Sequence, residues 1–412
     1  MRNQFDVIIV GGRVAGAATA YELSKKGYKV LLVERGKFPS DILSTHNFFN
    51  NSLVMLKEMG VLGTLLATGT PTYKRVFIQF DDQIIDGNFP EVEGEPNCLC
   101  IRRTHLDQIL FYHAAQQENV TAIQRYRVTD VVEENGATVG ILAVDQNGIE
   151  HEYRANLVIG ADGRNSLVRK KVNSEKLKSV PTDFASYVGY VKNFTQNGKR
   201  SAEFYKIKDK LIIAFPTSDQ LHVIGIMFPL EDKEWMERFK GNPEEAFRSL
   251  VDSGFENTDF PRRLQAASFE GPVKGLLGYD NDWYNGMGKG WALVGDALSF
   301  KDPAVGQGMH DALYGARVLA EILSQHQDWS INWDDMAEEY KQQMTTKMMA
   351  RFEMACKFTK NIPFSEEQHL VNQLIGSNPE LTQTFLGIYN YASDPIELEI
   401  KIGSLIESLQ QK

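Results

Sequence analysis

The 412-residue chain is predicted to be an α/β protein, α+β overall, with a Rossmann-like parallel-sheet domain, an interleaved antiparallel sheet domain and C-terminal helices. Three observations carry this. Residues 6–36 read strand, glycine turn, helix, strand; residues 180–268 are rich in aromatic and β-branched residues; and the chain after Trp329 has helical character throughout. The length favours two intertwined domains over one core.

Residues 7–10 (VIIV) are apolar and β-branched, as in a parallel strand covered on both faces. Small and apolar residues at helical spacing follow over 14–26, and Gly27 stops that helix. A second apolar run at 30–33 ends on Glu34, completing a β-α-β unit of about 30 residues. An irregular stretch, FPSDILSTHNFF, precedes a helix over 51–59, alternating strands over 73–85 and a helix over 104–117. Asn135-Gly136 and Asn147-Gly148 mark hairpin turns before a buried strand at 157–160. The segment 180–268 is expected to be a mostly antiparallel sheet. WALVGD gives a last buried strand, and ALSFKDPAVGQGMHDA a loop that runs into a long helix. The expected division is a discontinuous nucleotide-binding domain over 1–72, 101–178 and 270–328, a sheet domain over 73–100 and 179–269, and a helical segment over 329–412.

A net charge of −10 argues against nucleic acid or anionic membrane as a partner, since both demand clustered Lys and Arg. Cys98, Cys100 and Cys356 are odd in number and lack metal-ligand spacing, so neither a disulfide framework nor a metal site is expected, and the compartment is read as reducing and cytoplasmic. No apolar run reaches the length of an integral membrane segment. A peripheral contact through the C-terminal segment stays open.

Gly11, Gly12, Arg13, Ala15 and Gly16 occupy the turn of a G-x-G-x-x-G motif, with arginine at the middle glycine position. The usual glycines serve the tight turn, the approach to a pyrophosphate and close helix-strand packing. Arginine at the middle position is compatible with binding, because backbone N–H groups and the helix dipole do most of the holding; its guanidinium is expected to lie beside the pyrophosphate or ribose. Glu34, with Arg35 next to it, is placed to accept from the adenosine ribose hydroxyls.

Two further segments, LVIGADGRNSLVR and WALVGDALSFKDPAVGQGMHDA, complete a pattern that resembles the FAD-dependent oxidoreductases of the p-hydroxybenzoate hydroxylase type. That group also includes geranylgeranyl reductases and flavin halogenases. The resemblance runs over about the first 325 residues and implies noncovalent FAD with NAD(P)H as a transient electron donor. It assigns Asp296 to the flavin ribityl hydroxyls, Asp162-Gly163 to the DG motif of FAD and the nicotinamide donor, and Arg103 of R-x-x-L-D to the FAD pyrophosphate. Val128, in the strand after that helix, is matched to the backbone that meets the adenine. Pro303, Gly306, Gln307, Gly308 and Met309 are matched to the loop beside the isoalloxazine, where a helix start would favour the anionic reduced ring.

His46 is a tentative catalytic residue by its place in the chain; the competing reading is a structural hydrogen bond in an irregular loop. His222 is read as a satisfied sheet residue, and GMGKG at 286–290 precedes a strand, so it is no second dinucleotide site. The activity expected from the resemblance is monooxygenation, by hydroxylation or epoxidation, of an aromatic or conjugated small molecule with O2 as co-substrate. The alternative is a reductase that saturates an isoprenoid or other alkene. A halogenase ranks lower because W-x-W-x-I-P is missing from the sequence, and a non-catalytic flavin-binding protein ranks lower still.

Overall fold

In the computed structural model, residues 4–42 and 44–410 are described; the outermost positions of the first and last expected segments, 1–3 and 411–412, lie outside them. The first strand, Phe5–Val10, pairs in parallel with Val30–Glu34 on one side and Glu150–Gly160 on the other. Val120–Gln124 and Trp291–Leu293 extend this parallel core at its two ends. Helices Val14–Lys25, Arg103–Ala115 and Gly308–Gln325 contribute to the same core, and nearly every apolar residue of the central strands is fully buried. The glycine turn, Asp162 and Asp296 all follow the C-terminal ends of strands in this sheet. That edge is where open α/β sheets bind ligands.

A second sheet has seven strands, the edge strands being Ser268–Leu276 and Gln83–Asn88. The expected antiparallel character holds except where Ser201–Ile207 runs parallel to Arg75–Phe80. Ser268–Leu276 pairs with Phe184–Lys192, so this sheet crosses the 269/270 boundary drawn from the sequence. Residues 233–265, expected as part of the sheet, instead form the helices Lys233–Gly241, Pro243–Gly254 and Phe260–Gln265. Asp232 and Asn242 accept bonds from the backbone N–H groups of Trp235 and Glu245, capping the first two helices against the strand propensity of their aromatic residues.

Strand alternation divides the sheet's two faces. Tyr187, Val191, Tyr205, Ile212, Ile224 and Phe228 pack under those three helices. Val188, Tyr190, Phe204, Ile213, Phe215 and Val223 face the C-terminal helices, Trp329–Phe358 through Pro395–Gln410. Residues 329–410 are thus mostly helical, as expected; Trp329, Trp333, Met336 and Tyr340 of the first of these helices pack on the parallel core, and Met354, Phe358 and the later helices pack on the sheet. No described helix is long and apolar enough to cross a membrane.

Candidate functional site

The first turn is built by steric exclusion. Gly11 has φ +103, and a Cβ there would stand 2.4 Å from the Ala161 carbonyl oxygen, so no other residue fits. Arg13, by contrast, has φ −88 and ψ −159, extended backbone open to any residue. The middle glycine of the motif is therefore not required by backbone conformation.

The Arg13 side chain turns toward Asp107, with Nη1 3.4 Å from Oδ2. Arg103, the first residue of its helix, donates from Nε to the other carboxylate oxygen at 2.8 Å. Asp107 is fully buried, and its burial pushes the carboxyl up while Arg103 and Arg13 oppose that shift. Two cations thus share one buried carboxylate, leaving a net positive charge. Arg35 is exposed and close enough to oppose the charge on Arg13.

Glu34 is buried, and its two oxygens accept the backbone N–H groups of Gly12 at 2.8 Å and Gly36 at 2.7 Å. Each carboxylate oxygen keeps a second lone pair for a further donor. The backbone of Arg125 and Tyr126 bonds back to Gly36 and Glu34, which brings nearby Val128 to the same edge. Val128 lies in Arg127–Glu134, the second strand after the Arg103 helix, because Val120–Gln124 intervenes.

The three remaining motif segments converge on this turn. Asp162 lies against Gly11; its Oδ2 accepts the N–H groups of Leu167 at 2.6 Å and Val168 at 3.3 Å, while the buried Oδ1 has no partner among the described residues. Burial raises this carboxyl as well. Gly163, at φ +81, has open space where a side chain would go. Arg169, from the short helix that follows, donates to the Ala297 carbonyl at 2.9 Å and so ties the Asp162 turn to the Asp296 turn. Gly295 brings the latter against Ala15: a Cβ at Gly295 would be 2.9 Å from the Ala15 Cβ. Asp296 keeps partial exposure within dense surroundings, and that burial pushes its carboxyl up to about 6 against the opposing charge of Arg103.

The loop 303–309 completes the group. Pro303–Val305 is a 3-10 turn capped by Asp302, whose Oδ1 accepts from the Ala304 N–H at 2.8 Å. Gly306 has φ +66, and Gly308 opens the helix Gly308–Gln325, as expected. Gly308 is exposed between buried Gln307 and half-buried Met309, with Asp296 Oδ1 3.8 Å from where its Cβ would stand. Gln307 is buried; Nε2 donates to the Ile388 and Tyr389 carbonyls at 3.3 and 3.2 Å, and Oε1 accepts from Lys301 at 3.2 Å. Lys301 also pairs with Asp311 at 2.6 Å, both side chains being at most 5% exposed. Burial alone would raise the Asp311 carboxyl, yet Lys301 and His310 bring it down to about 2. Tyr391 donates to Asp311 at 2.6 Å, so C-terminal residues fasten the loop from behind. Its front is apolar, with Ala304 packing on Phe184, Leu211 and Met227 of the seven-stranded sheet.

His46 is buried at φ +30, with Nε2 3.0 Å from the Tyr190 hydroxyl and Nδ1 3.4 Å from Cys100 Sγ. Burial, aided by Arg103 and Arg102, pushes its pKa down to about 3, so the ring is neutral. Both nitrogens are occupied by protein. His222 sits in its strand edge-on to Phe194, but its buried Nδ1 lacks a partner among the described residues, contrary to the expectation of a satisfied ring.

The convergence of Glu34, Asp162, Asp296, Arg103 and a free helix start fits a dinucleotide with a diphosphate and several hydroxyls: three carboxylates retain acceptor capacity, a cation pair is present, and Gly163 and Gly308 leave room. Asp107, Lys301, Asp311 and Asn47 were not singled out from the sequence. Asp107 alone had a signal there, as the last letter of the R-x-x-L-D stretch.

A family model described as FAD binding domain matches residues 4–333. Among curated proteins, a 1H-pyrrole-2-carbonyl-[peptidyl-carrier protein] brominase of Pseudoalteromonas luteoviolacea is 24% identical over 334 residues, 78% of each chain. A 6-methylpretetramide 4-monooxygenase of Streptomyces rimosus is 25% identical over 331 residues, 77% of this chain and 75% of that one. Among solved structures, the flavin-dependent brominase Bmp2 superposes with a TM-score of 0.80 over 99% of this chain and all of that one, at 20% identity.

Proposed function

The chain belongs to the FAD binding domain family as an FAD-dependent oxidoreductase, and from that premise we propose that it is a monooxygenase acting on an aromatic or conjugated small molecule. One substrate C–H or C=C bond receives an oxygen atom from O2, and the second oxygen leaves as water, its two electrons and one proton supplied as hydride by NAD(P)H and its other proton by solvent. When bound, FAD supplies the redox chemistry that connects these reactants. The observation that carries the reading is the position of the 303–308 loop. Its Gly308 end stands against the carboxylate of Asp296, and its Ala304 packs on the apolar group of Phe184, Leu211 and Met227.

Each residue's task follows from its surroundings. Glu34 and Val128 receive the adenosine end, while Arg103 and Arg13 hold the diphosphate with a net charge left by their shared Asp107. Asp296 accepts from the ribityl hydroxyls. The N–H groups at the Gly308 and Met309 helix start would offer their dipoles to the ring of a bound flavin and favour its reduced, more negative form. Phe184, Leu211 and Met227 form a wall that excludes water and selects an apolar substrate face. His46 receives no proton-transfer role, because it is neutral and occupied by Tyr190 and Cys100. FAD binding is noncovalent in this reading.

Halogenation is a second reading, favoured by the brominase relative and by the close overlay on a brominase through the C-terminal helices. The test is consumption of NAD(P)H by the FAD-loaded protein over a panel of aromatic and polyene substrates, under air and under argon, with and without bromide. Oxygen-dependent, halide-independent products bear out the proposal. Products that require bromide support the second reading, and products formed under argon indicate alkene reduction.

A further inference from the structure

Asn47 follows His46 and opens a two-residue strand whose backbone pairs with Cys100. Its side chain is buried, 1% exposed. The Oδ1 atom accepts from the Tyr73 hydroxyl at 2.5 Å. Burial raises the Tyr73 phenol, which keeps it protonated and a donor. The amide's acceptor end is therefore taken, and the direction of its NH2 group is fixed. That NH2 carries two donors and finds no partner among the described residues. A buried amide left in this state is costly unless a ligand satisfies it.

The geometry shows what such a ligand would touch. Nδ2 lies 4.0 Å from the point where a Cβ on Gly306 would stand, and the Phe49 ring closes the same space at 3.3 Å. Gly306 carries no side chain and belongs to the loop between Asp296 and the sheet. The apolar wall of Phe184, Leu211 and Met227 meets that loop at Ala304, two residues earlier, so the amide and the wall address different parts of it.

We propose that Asn47, oriented by Tyr73, donates a hydrogen bond to a neutral acceptor of the flavin ring at the Gly306 turn. The inference rests on reading 303–308 as the flavin loop. A ring carbonyl or imine nitrogen becomes more electron-rich when the ring is reduced, so the same donor binds the reduced form better and raises the reduction potential. Tyr73 acts as a positioning residue, since it touches the amide and not the cofactor.

The test compares full-length, FAD-loaded, substrate-free wild type with Asn47→Leu, which keeps the side chain's size and removes both donors, and with Tyr73→Phe, which leaves Asn47 intact but unfastened. A redox titration against a dye of known potential is read as the ratio of reduced to oxidised flavin at a fixed dye ratio. We expect that ratio to fall about three- to tenfold in Asn47→Leu, the scale of one hydrogen bond, with a displaced visible flavin band. Tyr73→Phe should move both readouts the same way by less. A merely structural role would lower the melting temperature of either variant without moving the potential, and that result overturns the proposal. So does a change confined to substrate KM, which would assign the donor to substrate. If Asn47→Leu fails to fold, Tyr73→Phe decides alone. Wild-type protein that binds no FAD would instead refute the flavin-loop reading on which the proposal rests.

Discussion

Replacing Arg13 with glycine restores the ordinary motif and separates two roles that the sequence merges in one residue. The guanidinium is 27% exposed on its side chain and 3.4 Å from an Asp107 oxygen that is fully buried. Arg103 holds the same carboxylate at 2.8 Å and is unaffected by the change. A partly exposed ion pair contributes about 1 kcal/mol or less, and glycine adds about 0.5–1 kcal/mol of unfolded-state entropy. The apoprotein should therefore melt a few degrees lower. Arg13's attraction for a diphosphate is already offset in part by Asp107, so FAD affinity should weaken by no more than about tenfold, roughly 1.4 kcal/mol. Arg103→Ala removes a charged hydrogen bond worth about 1.5–3 kcal/mol, together with the better-buried cation, and should weaken FAD by about a hundredfold. Titration of FAD into deflavinated protein, followed by fluorescence quenching, measures both. An Arg13→Gly protein that cannot be loaded, beside an Arg103→Ala protein that can, would refute the division of labour between backbone, Arg103 and Arg13.

Further expectations follow from the same geometry. Asp296→Ala should lose FAD on gel filtration while the potential of whatever remains bound changes little, because the ribityl bonds are alike in both redox states. The Asp296 carboxyl, pushed up to about 6, accepts from those hydroxyls most strongly as the carboxylate. Binding therefore releases a proton, and affinity measured by titration should rise with pH until about 6 and level off, being about tenfold weaker at pH 5 than at pH 7.5; affinity that falls with pH would reverse the sign and the assignment. Gly308→Pro deletes the first N–H of the helix and strains Gln307 before it, so reduction by NAD(P)H, followed by stopped-flow absorbance, should slow about tenfold or more with FAD still bound. Asp311→Ala strands the buried ammonium of Lys301 and should cost about 3–5 kcal/mol in denaturant unfolding. Removing the pair together by Lys301→Met with Asp311→Leu should recover most of that loss.

What could be read from the sequence was local. The parallel core was legible because its strands are short β-branched runs bounded by glycine turns, and the helix start at Gly308 because a glycine-rich loop precedes a periodic segment. Residues 233–265 suggest a sheet by composition through Trp235, Phe239 and Phe247, whereas the Asp232 and Asn242 caps that start the first two helices there are single letters. Arg13 was legible as an oddity, but its partner was not: Asp107 is 94 residues away and meets it only when helix Arg103–Ala115 packs beside helix Val14–Lys25. The same holds for Gln307, whose amide is fixed by the carbonyls of Ile388 and Tyr389 from a helix the motif does not include. His46 stands out in the sequence by its type, whereas nothing in the sequence context of the neighbouring Asn47 reveals that its amide donor lacks a partner.

Entry of one atom of O2 into an aromatic or conjugated substrate is read from the mass of the product. Turnover by the FAD-loaded protein with NAD(P)H under 18O2 in ordinary water should yield a product two mass units heavier than the one made under 16O2, with the label absent from controls in H2 18O. A product that carries halogen in place of the label, or one that gains two hydrogens and forms equally well without oxygen, would contradict the account.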